Sequence, residues 1–155
     1  MATKDTAPID QEELRLEGIR ILIVDDDPEV RSAIDQALQS EGALTQTCGD
    51  GNTAVRICET DTPDLVVLDM MLPKRSGFLV LEKIKRLESQ PHVIMVTANE
   101  GKRHQQYAEA LGVDGYILKP VRLERLITMA QELFQSEPQG DSEVTKSSVK
   151  KKKKS

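Results

Sequence analysis

Five short runs of apolar residues, each followed by a longer segment of mixed polarity, set the tightest limit on what this chain can fold into. Four of the runs are almost wholly apolar, and the fifth alternates between apolar and polar residues. The runs cover residues 19–24, 65–68, 93–96, 115–118 and, for the alternating one, 43–48. Apolar runs of this length are typical of strands buried on both faces of a parallel sheet. The alternating run suits an edge strand.

The segments between the runs have helical patterns. In the clearest, residues 28–40, a Pro stands in the first turn, apolar residues recur at helical spacing, and Gly42 follows the end. Asp27 and Ser76 stand where a residue that caps a helix N-terminus is expected. The other helical segments are 52–59, 76–87, 102–111 and 123–134. Five strand–helix units in succession predict an α/β fold, a doubly wound sandwich around a five-stranded parallel sheet.

The net charge of −5 is spread unevenly along the chain. Residues 1–17 carry five acids and two bases, whereas the last twenty residues carry six lysines and three acids. The middle of the chain therefore has a net charge of −5 by itself. An acidic folded region argues against a surface for duplex nucleic acid on that region.

Cysteine spacing and hydropathy exclude two further classes. Cys48 and Cys58 lack the spacing of a zinc pair, and the two histidines form no cluster around them, so we interpret both as buried free thiols. No apolar stretch is long enough to span a membrane, and the acidic N-terminal region lacks an apolar signal core. We therefore predict a soluble, cytoplasmic protein.

Polar residues follow the predicted strands at the points where the strands end. Asp25 and Asp26 follow the first strand, Asp69 the third, Thr97 the fourth and Lys119 the fifth. The carboxyl ends of parallel strands share one edge of a sheet, where the working crevice of such folds lies. Each residue alone is ordinary, but their order along successive strands is not. Clustered carboxylates repel one another, and Mg²⁺ with a lysine would compensate them.

This constellation is equipped for phosphoryl transfer. A carboxylate beside Mg²⁺, an ammonium group and a hydroxyl can attack phosphorus and form an acyl phosphate. Asp69 is the predicted nucleophile, Lys119 supplies a point positive charge, and Thr97 supplies a donor for a phosphoryl oxygen.

The combined motif resembles that of the response-regulator receiver family of two-component signalling. Asp25-Asp26, Asp69, Thr97 and Lys119-Pro120 follow one another at intervals of 44, 28 and 22 residues, within a region of resemblance from about 20 to 134. The resemblance implies a flavodoxin-like (βα)5 fold and phosphorylation of Asp69. It also implies a phosphohistidine donor on a sensor histidine kinase or phosphotransfer protein. Such a receiver catalyses its own modification and is not a turnover enzyme.

The resemblance assigns roles residue by residue. Asp26 resembles the direct Mg²⁺ ligand, Asp25 the ligand that acts mainly through water, and the Met71 backbone carbonyl a further ligand. Thr97 and Lys119 resemble the residues that contact the phosphoryl oxygens. Tyr116 resembles the aromatic residue whose ring turns inward when the threonine is drawn to the phosphate. The Lys119-Pro120 bond is expected to be cis.

Some positions differ from the residues common in the family, and others allow more specific expectations about the phosphorylated form and the output surface. Ser76-Gly77 stands where Asp-Gly is common, and Ser76 can still cap the next helix. Met71 and Asn99 occupy the two positions that, by the resemblance, lie beside the phosphoryl group and tune its hydrolysis. Because Met71 cannot orient an attacking water, we predict a long-lived phosphorylated form. The resemblance implies that the face of the fourth helix, fifth strand and fifth helix, with Tyr107, Tyr116 and Arg122, is the surface for a downstream protein effector.

The sequence divides into three parts. Residues 1–17 are expected to be an N-terminal tail, with a short helix around 10–16 as an alternative, and residues 18–135 the receiver domain. Residues 136–155 are expected to be a disordered Lys-rich tail because their composition cannot form a core. Three interpretations of its lysine run stay open: a solvated tail, which we favour, an electrostatic contact to nucleic acid or an anionic surface, or a docking peptide for a partner. No DNA-binding domain is expected after the fifth helix, since few residues remain.

Two other functions compete with a phospho-accepting switch. One is a receiver-like scaffold that partners recognise without phosphorylation. The other is a phosphohydrolase that uses Asp69 as nucleophile, a class that typically needs a second acid two residues on, where Met71 stands.

Overall fold

The computed structural model describes residues 14–98 and 101–135, in which strands and helices alternate. The strands are β1 (Arg20–Val24), β2 (Leu44–Cys48), β3 (Leu65–Asp69), β4 (His92–Thr97) and β5 (Gly115–Leu118). The helices are α1 (Pro28–Ser40), α2 (Gly51–Thr60), α3 (Gly77–Ile84), α4 (Lys102–Ala110) and α5 (Leu123–Gln135). All strand pairs are parallel, in the order β2-β1-β3-β4-β5. The predicted α/β class and five-stranded parallel sheet are confirmed.

The sheet is covered on both faces, as its apolar strands require. Successive side chains of a strand point to opposite faces, so neighbouring residues of β1 enter different clusters. Ile21 and Ile23 pack in one cluster with residues of α1 and α5. Leu22 and Val24 pack in the other with residues of α2, α3 and α4. β2 differs, since it lies at one edge of the sheet and all five of its residues are partly or fully exposed.

Side-chain caps fix three helix N-termini beside the carboxyl ends of the strands. Asp27 Oδ1 accepts a hydrogen bond from Glu29 N at 2.9 Å and so caps α1. Asp50 caps α2 through Thr53 N at 2.8 Å, and Ser76 caps α3. Such caps satisfy backbone donors that a helix leaves unpaired. The caps expected at Asp27 and Ser76 are therefore present.

The opposite edge of the sheet is tied together by Asp114. Its Oδ2 accepts a hydrogen bond from Val93 N at 2.8 Å and lies 3.4 Å from Lys85 Nζ, while Oδ1 lies 3.5 Å from His92 Nδ1. Burial by itself would raise the pKa of Asp114, but these partners outweigh it and hold the pKa below its usual value. One carboxylate thus joins the starts of β4 and β5 to α3.

Packing extends N-terminal of residue 18, the expected start of the domain. The Leu16 side chain is fully buried in the cluster that α1 and α5 share. Arg15 Nη2 lies 3.1 Å from Glu41 Oε2 and 3.1 Å from Glu124 Oε1, so it joins the end of α1 to the first turn of α5. The rest of the expected N-terminal tail, residues 1–13, and the expected Lys-rich tail, residues 136–155, lie outside the described residues.

Two smaller expectations concern thiols and membranes. Both cysteines are free; Cys58 is buried as expected, whereas Cys48 is only partly buried. Of the helices in the described ranges, none combines the length and apolar character needed to cross a bilayer.

The packing of Leu16 predicts a large effect of truncating it. Leu16→Ala should lower the free energy of unfolding by about 2–5 kcal/mol, because it leaves a cavity in a closed core. Leu14→Ala is the matched control, since Leu14 is 40% exposed and its loss should cost less than about 0.5 kcal/mol. Urea unfolding followed by circular dichroism measures both. Equal, small losses would mean that residues 14–17 contribute nothing to the fold.

Candidate functional site

Three carboxylates meet at the carboxyl edge of the sheet. Asp25 and Asp26 follow β1 directly, and Asp69 is the last residue of β3. β1 and β3 are hydrogen-bonded neighbours with Val24 opposite Leu68, so Asp25 and Asp69 come next to each other. Carboxylate oxygens of the three residues all lie within 4.8 Å of one another. The expected convergence of these acids is therefore observed.

Burial makes this grouping electrostatically unfavourable. Asp25 and Asp69 are 2% and 4% exposed, whereas Asp26 faces solvent. Burial and the neighbouring charge of Asp25 raise the pKa of Asp69 to about 6, against the opposing attraction of Lys119. A cation bound between the three carboxylates would remove much of this repulsion.

Lys119 is the cation that the fold itself supplies. Its Nζ lies 2.9 Å from Asp25 Oδ2 and 3.6 Å from Asp69 Oδ2. Burial would lower the pKa of Lys119, but its hydrogen bond to Asp25 and the charge of Asp69 outweigh this and raise it. The Lys119-Pro120 peptide bond is cis, as the resemblance implied, and Lys119 N donates to Thr97 O at 2.8 Å. The lysine therefore contacts both buried acids.

Thr97 and Tyr116 lie on the side of the site toward β5. Thr97 is the last residue of β4 and is fully buried, and the preceding Val96 pairs with Asp69 on β3. Tyr116 lies on β5 opposite Met95, two residues before Thr97 on β4. The Tyr116 hydroxyl is buried, and within the described ranges it has no hydrogen-bond partner. Thr97 thus stands between the acids and the strand that carries Tyr116.

The loop after β3 holds Asp69 against the N-terminus of α3. Gly77 packs so closely that a Cβ there would lie 2.4 Å from Asp69 O, which explains why glycine stands at this position. Met71 N donates to Asp69 Oδ1 at 3.4 Å, and the Met71 side chain is 65% exposed. Lys74 adopts a left-handed backbone with φ of 68° and is exposed. Asn99, expected beside the phosphoryl group, lies outside the described residues.

Arg31 is a supporting residue that sequence reasoning missed. Its Nη1 donates to Asp25 O at 2.8 Å, so α1 holds the backbone of the loop that bears the acids. Asp27 N donates to Asp25 Oδ1 at 2.9 Å and orients that carboxylate. The only signal in the sequence is an arginine in the first turn of the helix that follows the acids, and such arginines are usually solvated.

The donor set suits a hard divalent cation. Mg²⁺ prefers carboxylate, carbonyl and water oxygens, and it keeps open positions for phosphate. Two buried acids and one exposed acid give the site carboxylate oxygens that reach both the interior and solvent. No sulfur or imidazole ligand from residues 14–98 or 101–135 belongs to this cluster, which argues against a zinc-type site.

Comparison with known proteins gives one consistent family. The model of the response regulator receiver domain matches residues 21–131. The probable transcriptional regulatory protein TcrX of Mycobacterium tuberculosis is 33% identical over 116 residues, which are 75% of this chain and 50% of TcrX. The regulator of RpoS of Escherichia coli K12 is 37% identical over 115 residues, 74% of this chain and 34% of that protein. The chain thus spans about half the length, or less, of these relatives.

Solved structures agree with this assignment. The CheY-like receiver domain protein of Methanospirillum hungatei JF-1 aligns with a TM-score of 0.73 and 29% identity, over 77% of this chain and 95% of that one. The receiver domain of the sensor histidine kinase PA1611 of Pseudomonas aeruginosa PAO1 aligns with a TM-score of 0.71 and 28% identity, over 77% and 99% of the two chains. That structure has a magnesium ion coordinated in its active-site cleft. The matched model covers most of the chain, which therefore belongs to the response regulator receiver domain family.

Proposed function

We propose that this chain is a phospho-accepting switch in which Asp69 receives a phosphoryl group from a phosphohistidine donor, with Mg²⁺ as cofactor. The observation that carries the proposal is the buried Asp69 carboxylate, crowded by Asp25 and Asp26 and contacted by Lys119. The donor would be a sensor histidine kinase or a phosphotransfer protein. That histidine kinases and phosphotransfer proteins act on receiver domains of this family supports the choice of donor.

Each residue of the site has its own role in the transfer of the phosphoryl group. An oxygen of the Asp69 carboxylate attacks phosphorus while the bond between phosphorus and the donor histidine nitrogen breaks, which leaves an acyl phosphate and a neutral histidine once its nitrogen is protonated. Lys119 offsets the negative charge of the phosphoryl oxygens, and the Thr97 hydroxyl donates to one of them. A Mg²⁺ ion held by Asp25, Asp26, Asp69 and the Met71 carbonyl would supply the remaining positive charge.

The same residues can also convert phosphorylation of Asp69 into a change at the surface of the protein. Movement of the Thr97 hydroxyl toward the phosphoryl group vacates space beside β5, into which the Tyr116 ring turns. Within the part of the chain that the structure describes, the buried Tyr116 hydroxyl has no hydrogen-bond partner, which costs about 1–3 kcal/mol and so lowers the free energy needed to move the ring. The face formed by α4, β5 and α5 changes as a result, and a downstream protein effector reads that change.

Two rival functions are less well supported. A phosphorylation-independent scaffold does not require three carboxylates and a lysine to be crowded together against their mutual repulsion. A phosphohydrolase needs a second acid two residues after Asp69, and that position is Met71, whose side chain is 65% exposed. We therefore propose that the chain catalyses only its own phosphorylation and dephosphorylation.

Intact-mass measurement tests the proposal directly. After incubation with Mg²⁺ and acetyl phosphate, we expect one added phosphoryl group, which is absent in Asp69→Asn and absent without Mg²⁺. Asp27→Asn is a matched control, because Asp27 caps α1 and asparagine caps equally well; it should retain the adduct. An adduct on Asp69→Asn, or none on the wild-type protein, would refute the assignment. Multiple rapid turnover would indicate the hydrolase.

The crowding of the acids predicts that Asp69→Asn stabilises the Mg²⁺-free protein. The folded-state pKa of Asp69, about 6, exceeds its unfolded value of about 3.9, so its ionisation costs stability above pH about 6 and nothing below pH about 4. The expected gain is on the order of 2–3 kcal/mol at pH about 8, and it disappears near pH about 4. Urea unfolding at both pH values measures it. Asp26→Asn, which changes the exposed acid, is the control and should gain less free energy of unfolding. If Asp69→Asn instead lost stability at pH about 8, the repulsion among the three carboxylates would be contradicted.

Met71 predicts a slow loss of the phosphoryl group. A thioether cannot orient a water molecule for attack on phosphorus, so the phosphorylated protein should persist for minutes rather than seconds. Met71→Asn adds an amide that can orient water and should shorten the lifetime by roughly tenfold. Met71→Leu, of similar size and apolar, is its control and should leave the lifetime unchanged. Decay of the wild-type adduct within a few seconds would contradict this expectation.

A further inference from the structure

A groove with an apolar floor and a positive rim lies between α4 and α5, over β5. Its volume is about 320 Å³, and its lining residues are Gln105, Tyr116, Ile117, Leu118, Arg122 and Arg125. Leu118 is 45% exposed, although it belongs to a strand. Both arginines are exposed, and with the carboxylates of residues 14–98 and 101–135 neither forms an ion pair within 4.0 Å. The groove therefore suits an acidic occupant with some apolar character.

The described chain begins close to this groove. Arg15 is bound to Glu124 in the first turn of α5, with Nη2 3.1 Å from Oε1. Glu124 in turn lines a shallow depression on the outer face of α5 together with Arg122 and Arg125. Leu16, buried in the core against residues of α5, fixes the position of the backbone that follows. Residues 1–13 therefore join the domain beside α5, the helix that carries Arg125 and that begins directly after Arg122.

The charge and the length of residues 1–13 fit the groove. They contain Asp5, Asp10, Glu12 and Glu13 against Lys4, and Ile9 adds an apolar side chain. Thirteen extended residues span up to about 43 Å, whereas a helix with its side chains is only about 10–12 Å across. The segment thus reaches across α5 with residues to spare.

Residues 136–155 are a poor alternative occupant. They carry six lysines against three acids, so they have the same sign as the arginine rim. They also follow Gln135, the last residue of α5, whereas Arg122 precedes the first residue of that helix. Charge and position both favour the N-terminal acidic segment.

We propose that the acidic residues of segment 1–13 dock in cis on Arg122 and Arg125 and cover the groove between α4 and α5. The contact is electrostatic, with Ile9 available to the apolar floor that includes Leu118. Because the groove lies on the face that the proposed function gives to the effector, docking would compete with effector binding; that consequence rests on the proposed function, but the contact itself does not.

The test compares amide ¹⁵N–¹H spectra of the full chain with those of a neutralised variant, D5N/D10N/E12Q/E13Q. The signals of Leu118, Arg122 and Arg125 should shift between the two proteins. Raising NaCl from about 0.05 to about 0.5 M should move the wild-type signals toward the variant's positions, because salt screens exposed charges. The variant E137Q/D141N/E143Q is the matched control and should leave these signals in place. Groove signals that coincide in the wild-type and neutralised proteins at low salt would overturn the proposal.

Two further measurements separate the possible explanations. Shifts that grow with protein concentration would assign the acidic segment to the groove of a second copy and would overturn docking in cis. Incubation with Mg²⁺ and acetyl phosphate should add one phosphoryl group to the wild-type and the neutralised protein alike. If neither protein forms the adduct while the groove signals differ, docking stands and the proposed function fails.

Discussion

The close approach of the Asp25 and Asp69 carboxylates at the ends of two neighbouring strands is the interaction on which the site depends. Because β1 pairs with β3, the two acids are placed next to each other. Because both are buried, water does not screen the repulsion between their charges. Lys119 offsets part of the repulsion, since it lies 2.9 Å from one carboxylate and 3.6 Å from the other. The apolar strands beneath must supply the stability that this edge lacks. The site is thus held in an electrostatically unfavourable arrangement, which a bound cation would relieve.

The order of the strands places the polar residues of the site in a row toward one side of the sheet. β3 carries Asp69, β4 carries Thr97, and β5 leads into Lys119, so the three residues follow one another toward one side of the sheet. β5 is the last strand on that side. In the proposed switch, a change at Asp69 would therefore be transmitted toward α4 and α5.

Much of this arrangement could be predicted because it depends on local sequence signals. The apolar runs located every strand to within a residue or two, and the acids, Thr97 and Lys119 were placed by the strand ends that precede them. Long-range partners could not be predicted in the same way. The bond from Arg31 to the Asp25 carbonyl and the burial of Leu16 depend on the packing of separate elements, and the residue types alone do not require either.

The ends of helices likewise could not be predicted accurately from the sequence. The pattern of apolar residues predicted that the third helix continues to residue 87, yet α3 ends at Ile84. Gln90 Nε2 donates to the Lys85 carbonyl at 2.8 Å, and Lys85 Nζ donates to the Pro91 carbonyl at 3.2 Å. The first of these bonds satisfies a backbone carbonyl that another helical turn would otherwise have to satisfy. The apolar residue at 87 still packs against the core, which is why its spacing suggested a longer helix.

The groove between α4 and α5 exists because the sheet ends at β5. Among the described residues, no further strand covers the outer side of β5, so Leu118 is left exposed and two helices flank an open strand edge. An uncovered strand edge invites pairing with other chains, and proteins commonly protect it with charged side chains or with a covering segment. Arg122 and Arg125 provide the charge here, and an acidic segment docked on them would provide the cover. In this proposal one contact both covers the edge of β5 and competes with the effector. A partner that binds this face would therefore have to displace segment 1–13 before it reaches β5.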